Sequence, residues 1–235
     1  MRNHQLLLAL GLLCVAAGCV ADAQSVLPSA ADARTPEQLA VAAIKKARGK
    51  VTIDKANPNQ SVNAVDFHGV RVTGDNLDLL AALPNLKEVN LYNTELPDDG
   101  LDHLKSLVGL QTLNLCATKV TDAGLTTLRA LPNLHALYLN NTAITDAGLA
   151  TLGTLSTLQD VDLLGTRVTD DGLANLQNLH GLKNLSLGGP AVTDRGLANL
   201  AAIRGLRELR LSRTGVTDAG VQNLQHALPQ LKIIR

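Results

Sequence analysis

Asp160 and Asp162 stand two residues apart. On a strand they would point the same way, and two carboxylates on one face can divide the roles of general acid and general base. No third group accompanies them, so the pattern stops short of a catalytic constellation. His68, His103, His135, His180 and His226 follow no spacing that a metal site requires. Asp98, Asp122, Asp146, Asp170, Asp194 and Asp218 recur every 24 residues, and such a carboxylate ladder could hold calcium. Helix capping is the simpler use. Thr121-Asp122, Thr145-Asp146, Thr169-Asp170, Thr193-Asp194 and Thr217-Asp218 each lie just ahead of a helical pattern. There a hydroxyl or carboxylate accepts a bond from an unpaired helix N–H, and the negative charge meets the positive end of the helix dipole. Cys116 is a thiol with no activating base nearby in the sequence. These residues predict a chain that is not an enzyme and has no catalytic, cofactor-binding or metal site.

The elements that position them come from a repeat. A 24-residue unit opens at Val62, Leu86, Leu110, Leu134, Leu158, Leu182 and Leu206, and a last partial one opens at Leu231. Within a unit, positions 1, 4 and 6 are apolar, as Leu110, Leu113 and Leu115 show. The alternation over positions 4 to 6 is a strand period. Positions 16, 19 and 22, as in Leu125, Leu128 and Leu131, are spaced by three and predict a short helical or 3-10 turn. Stacked units then form one parallel sheet with helices on its other side, each coil burying its apolar face against its neighbours. Gly124, Gly148, Gly172, Gly196 and Gly220 follow each Asp by two and predict close packing between coils. Threonine at position 9 (Thr94, Thr118, Thr142, Thr166, Thr214) predicts a hydroxyl ladder to the backbone of adjacent coils. Gly188-Gly189-Pro190 interrupts that line and predicts a local distortion.

The pattern LxxLxLxxTxVTDAGLxxLxxLxN resembles the leucine-rich repeat superfamily in its bacterial "TDAGL" form, over about three quarters of the chain. The resemblance implies an α/β solenoid, a curved horseshoe with a parallel β-sheet on the concave side and short helices on the convex side. It also implies protein recognition on the concave sheet. The superfamily's usual Asn or Cys at position 9 is Thr here. In such a fold positions 3, 5 and 7, with position 2 beside them, face the concave side. The partner-binding candidates are then Glu88, Asn90, Tyr92, Asn114, Tyr138, Asn140, Asp160, Asp162, Arg207 and Arg210. Tyr joins apolar area to a hydrogen-bonding tip, which suits recognition. A protein is the expected partner. Carbohydrate or cell wall is the alternative, suggested by the Asn and Tyr mixture, and a purely structural envelope role is a third.

Residues 1–23 read as a signal peptide: Arg2, then an apolar run too short to span a bilayer comfortably. Two exits compete. Val15-Ala16-Ala17-Gly18-Cys19 resembles a lipoprotein box with Cys19 as the lipidated residue, and Val20 in second place resembles the outer-membrane sorting case. Ala21-Asp22-Ala23 is a site for ordinary secretion, which gives a soluble periplasmic or secreted chain beginning at Gln24. Both predict export to the bacterial envelope, with a lipid anchor as the only contact with membrane. Residues 24–34 read as a flexible tether and 35–60 as a helix-strand cap over the first coil. In the cap, Thr35, Pro36 and Glu37 start a helix whose buried face is Leu39, Ala43, Ile44 and Ala47, ended by Gly49. Residues 61–235 hold the repeats. A formal net charge of zero and only three aromatics (Phe67, Tyr92, Tyr138) give no support to nucleic-acid binding. Cys116 alone remains in the folded part, so no disulfide is expected there.

Overall fold

The computed structural model describes residues 34–56 and 61–235. The readings of the signal peptide, Cys19 and nearly all of the tether lie outside the described residues. Among these residues nine strands form one sheet in sequence order. They are β1 (Lys50–Ile53), β2 (Val62–Asp66), β3 (Glu88–Asn90), β4 (Thr112–Asn114), β5 (Ala136–Tyr138), β6 (Asp160–Leu163), β7 (Asn184–Gly188), β8 (Glu208–Ser212) and β9 (Lys232–Ile234). From β2 onward each pair is parallel, and residues 24 apart lie side by side: Glu88, Thr112, Ala136, Asp160, Asn184 and Glu208 make one row. A strand of a few residues cannot hide its apolar face alone. The rows Leu113, Leu137, Val161, Leu185, Leu209 and Leu115, Leu139, Leu163, Leu187, Leu211 do so together and are buried. Each such leucine contributes roughly 1.5–3 kcal/mol.

The last strand keeps the 24-residue register, so the expected unit start at Leu231 is off by one. Counting from Leu231 aligns Ile234 with the buried leucines, but Ile233 lies beside Leu209 and Ile234 beside Arg210.

The other side carries α2 (Gly74–Asp78), α3 (Asp122–Leu125), α4 (Asp146–Leu152), α5 (Asp170–Leu173), α6 (Asp194–Leu200) and α7 (Asp218–Ala227), with 3-10 turns such as Asp98–Leu104 among them. Threonine caps these helices: Thr145 Oγ1 accepts from Ala147 N–H at 3.3 Å and Thr169 Oγ1 from Asp171 N–H at 3.3 Å. The aspartates do something different from capping. Asp122 Oδ1 accepts from Thr145 N–H at 2.8 Å and its Oδ2 from Thr145 Oγ1 at 2.5 Å, one coil onward. Asp98, Asp146, Asp170 and Asp194 repeat this bracket on Thr121, Thr169, Thr193 and Thr217. Asp218 instead meets the Arg235 guanidinium, which also donates to Val216 O at 2.8 Å. The repeated aspartates are thus rungs between coils.

Burial raises the Asp170 carboxyl, but bonds from Thr193 and Gly196 and the Arg195 charge outweigh that and hold it below 3.8. Asp194 is lowered too, first by the Thr217 hydroxyl. A depressed native value means this part of the stability is present above about pH 4 and lost as acid protonates Asp170 and Asp194.

Four expectations change at other positions. The position-9 hydroxyls bond within their own coil: Thr94 to Leu91 O at 2.8 Å, Thr118 to Leu115 O at 2.7 Å and Thr142 to Leu139 O at 2.6 Å. They satisfy the carbonyl at the bend where the strand ends, which three-residue spacing favours over a neighbour one coil away. At Gly188-Gly189 the sheet lengthens: Gly188 pairs with Ser212, and Gly189 N–H reaches Ser212 O at 3.1 Å.

In the cap, α1 (Pro36–Lys46) starts as read, with Thr35 and Gln38 exchanging bonds. It buries Ala40 and Ile44, while Leu39 is 54% exposed. A helix of three turns lying along the first coil has room to bury only a narrow stripe. Arg48 takes the left-handed φ of 66° at the helix end, a role expected of Gly49. Gly49 serves by lacking a side chain, since a Cβ there would lie 2.6 Å from the Phe67 ring. β1 pairs antiparallel with β2 as the edge of the cap.

Candidate binding face and its hollow

In each strand the side chains that alternate with the buried leucines face away from the helices. Rows 3, 5 and 7 therefore form one polar surface. It holds nine of the ten candidates: Glu88, Asn90, Tyr92, Asn114, Tyr138, Asn140, Asp160, Asp162 and Arg210. A hollow of about 430 Å³ crosses β5 to β8, lined by Tyr138, Asp160, Asp162, Asn184, Ser186, Glu208 and Arg210, so the face is concave there. Arg207 stands apart. It lines another hollow, of about 350 Å³, with Arg204, Leu228 and Gln230.

Several candidates also serve the fold. Tyr92 N–H donates to Asn90 Oδ1 at 3.0 Å, Cys116 N–H to Asn114 Oδ1 at 3.0 Å, and Leu164 N–H to Asp162 Oδ1 at 3.0 Å. Position 5 thus closes the turn at the strand end, as Asn and Asp side chains do when they bond two residues on. Asp66 does the same for His68 and also accepts from Asn90 Nδ2 at 2.9 Å. Sequence reading missed this use, although the Asn/Asp preference at position 5 was its signal. Just beyond, Asn93, Ala117, Asn141 and Arg213 adopt positive φ near 55°. This left-handed corner turns the chain off the sheet.

The exposed aromatic is Tyr92, 38% accessible, which meets His68 edge to face with centroids 4.7 Å apart. His68 was outside the candidate set. Tyr138 lies beside Asp162 in register. Burial, then the charges of Asp160, Asp162 and Glu88, push its phenol up, so it stays a neutral ring at physiological pH. Glu208 is lowered, first by Arg210 at 2.7 Å and then by Lys232 at 3.3 Å. That pairing occupies two cations of the face. Asp160 accepts from Asn184 Nδ2, and neither Asp160 nor Asp162 has an ion-pair partner among the described residues.

Burial pushes the Cys116 thiol from 9.0 up to about 11, and the Asp162 charge acts in the same direction. A rise of two units leaves about a hundredfold less thiolate below pH 9. Iodoacetamide should therefore modify Cys116 about a hundredfold more slowly in the folded chain than in urea at pH 8, followed by peptide mass. The folded rate should keep climbing beyond pH 9, where an ordinary thiol levels off. No group of three or more His, Cys, Asp or Glu close enough to hold a metal occurs among the described residues. None of their helices is long and apolar enough to cross a membrane.

Solved structures share this architecture. Internalin C2 from Listeria monocytogenes is 26% identical, over 73% of this chain and 70% of its own, with a TM-score of 0.59. The fold is a leucine-rich-repeat solenoid. A second Listeria monocytogenes internalin, of the F type, is 22% identical over 86% of this chain and 69% of its own, with a TM-score of 0.55, and shows the same leucine-rich-repeat fold. No protein-family model and no curated protein matches the sequence.

Proposed function

We propose that this leucine-rich-repeat chain is a non-enzymatic recognition scaffold of the bacterial envelope that holds a protein partner on its concave sheet. The observation that carries the reading is the hollow across β5 to β8. There a neutral aromatic and two carboxylates that have no counter-ion among the described residues line a sheet of hydrogen-bonded strands. Groups held by hydrogen-bonded strands need little ordering when a partner arrives, and that favours binding. The "TDAGL" type of repeat belongs to this reading. So does the export signal, with Cys19 as lipid anchor; intact mass separates an acylated Cys19 from a chain beginning at Gln24.

Affinity capture from envelope extracts with the mature chain tests the assignment. Tyr92→Ala with Tyr138→Ala should lose the captured protein, and Arg210→Glu should weaken it, while Ala150→Glu on the helix side leaves it bound. Capture indifferent to the face substitutions and lost with Ala150→Glu would count against the sheet. A second reading is carbohydrate binding, favoured by Tyr138 beside Asp160, Asp162 and Asn184, since a ring with carboxylate and amide acceptors suits sugar hydroxyls. Glycan-array binding that depends on Tyr138 selects it over the first.

A further inference from the structure

We propose that Asp160, Asp162 and Tyr138 form a seat for one basic side chain, arginine or lysine, on an exposed segment of the protein partner. This rests on the recognition reading above and names the chemistry of its anchor.

The charge pattern of the sheet face supplies the argument. Glu208 takes both Arg210, at 2.7 Å, and Lys232, at 3.3 Å. Asp160 and Asp162, two strands earlier, are left without a cation among the described residues, and Glu88 further along the face adds charge of the same sign. An unneutralised pair on a concave surface concentrates its field and attracts the opposite charge.

Geometry narrows the choice to a side chain with several donors. Asp162 commits Oδ1 to Leu164 N–H, and Asp160 commits Oδ1 to Asn184 Nδ2. Each carboxylate is thereby held by one oxygen and keeps the other for an incoming donor. Tyr138 lies beside Asp162 in the parallel register. A guanidinium or ammonium placed there meets carboxylate oxygens and an aromatic ring at once, the combination that favours cations over neutral groups. Two carboxylates fall short of the oxygen set that calcium takes. The hollow of about 430 Å³ leaves room for a long side chain to enter from solvent.

Panning a peptide phage library on the mature chain tests this. The variant for comparison is Asp160→Asn with Asp162→Asn, which keeps the acceptor oxygens and removes the charge. Enriched peptides should share an arginine or lysine. The leading one, synthesised, should bind the variant at least about tenfold more weakly, and its citrulline or norleucine counterpart should be weakened alike. Peptides lost on Tyr92→Ala with Tyr138→Ala, yet sharing no basic residue, would overturn the seat and leave the face standing. A library giving only peptides indifferent to every face substitution, or none, would overturn both. Binding that needs added calcium and disappears with chelator would replace the side chain by a metal.

Discussion

Gly172→Ala should destabilise the chain by about 2–4 kcal/mol, although alanine is the better helix former by roughly 1 kcal/mol. The reason lies in the neighbouring coil. A Cβ at residue 172 would overlap Asp146 Oδ1 and stand 2.8 Å from its Cγ. The carboxylate would have to leave the position from which it accepts Thr169 N–H at 2.8 Å and Thr169 Oγ1 at 2.7 Å. Bonds to a charged acceptor contribute roughly 1.5–3 kcal/mol each, and some survive the shift. Asp146→Ala alone should cost a similar amount. Because Asp146→Ala removes the group that the added methyl would strike, the double variant should be little worse than Asp146→Ala. A double-mutant cycle read by urea unfolding should show coupling of about 2 kcal/mol; costs that add within about 0.5 kcal/mol would refute the bracket.

Leu137→Ala should cost about 2–5 kcal/mol and should also change how the chain unfolds. Leu137 is fully buried in the middle of the stack, between Leu113 and Val161 on the adjoining strands. In a solenoid each coil is held by its immediate neighbours, so a cavity at the centre weakens the link between the two ends. Urea unfolding should broaden, with a lower m value or two resolved steps. A single transition of unchanged m, shifted by less than about 1 kcal/mol, would mean that the coils are coupled by something other than this core.

The architecture was legible because the period does the folding. Leucines at positions 1, 4 and 6 return every 24 residues, and the same interval separates paired residues on neighbouring strands. The meaning of Thr-Asp was only half legible. Each pair reads locally as a cap. The rung joins the Asp of one coil to the Thr of the next, a separation of 23 residues that no local motif displays. One exception could have exposed it. Gly74 stands where the first coil would carry the Asp and Pro97 where the second would carry the Thr, so both partners vanish together. His103 covers Gly74 instead and reaches Asp78 at 2.7 Å.

For the binding face, alternation placed Tyr138, Asp160, Asp162 and Arg210 on one side. It could not reveal that Asn90, Asn114 and Asp162 close turns, that Glu208 takes two cations, or that Arg207 lines another hollow. The turns bond only two residues on and were signalled by Asn or Asp at position 5, whereas the Lys232–Glu208 pair and the place of Arg207 depend on where neighbouring coils put their side chains.

Site-specific photo-crosslinking in cells that make the protein tests the central claim most directly. A benzophenone amino acid at Tyr138, beside the hollow, is compared with one at Ala150, which is exposed on the helix side. A discrete crosslinked protein from position 138 and none from position 150 is the expected result. The same adduct from position 150 alone would place the docking surface on the opposite side of the solenoid and contradict this account.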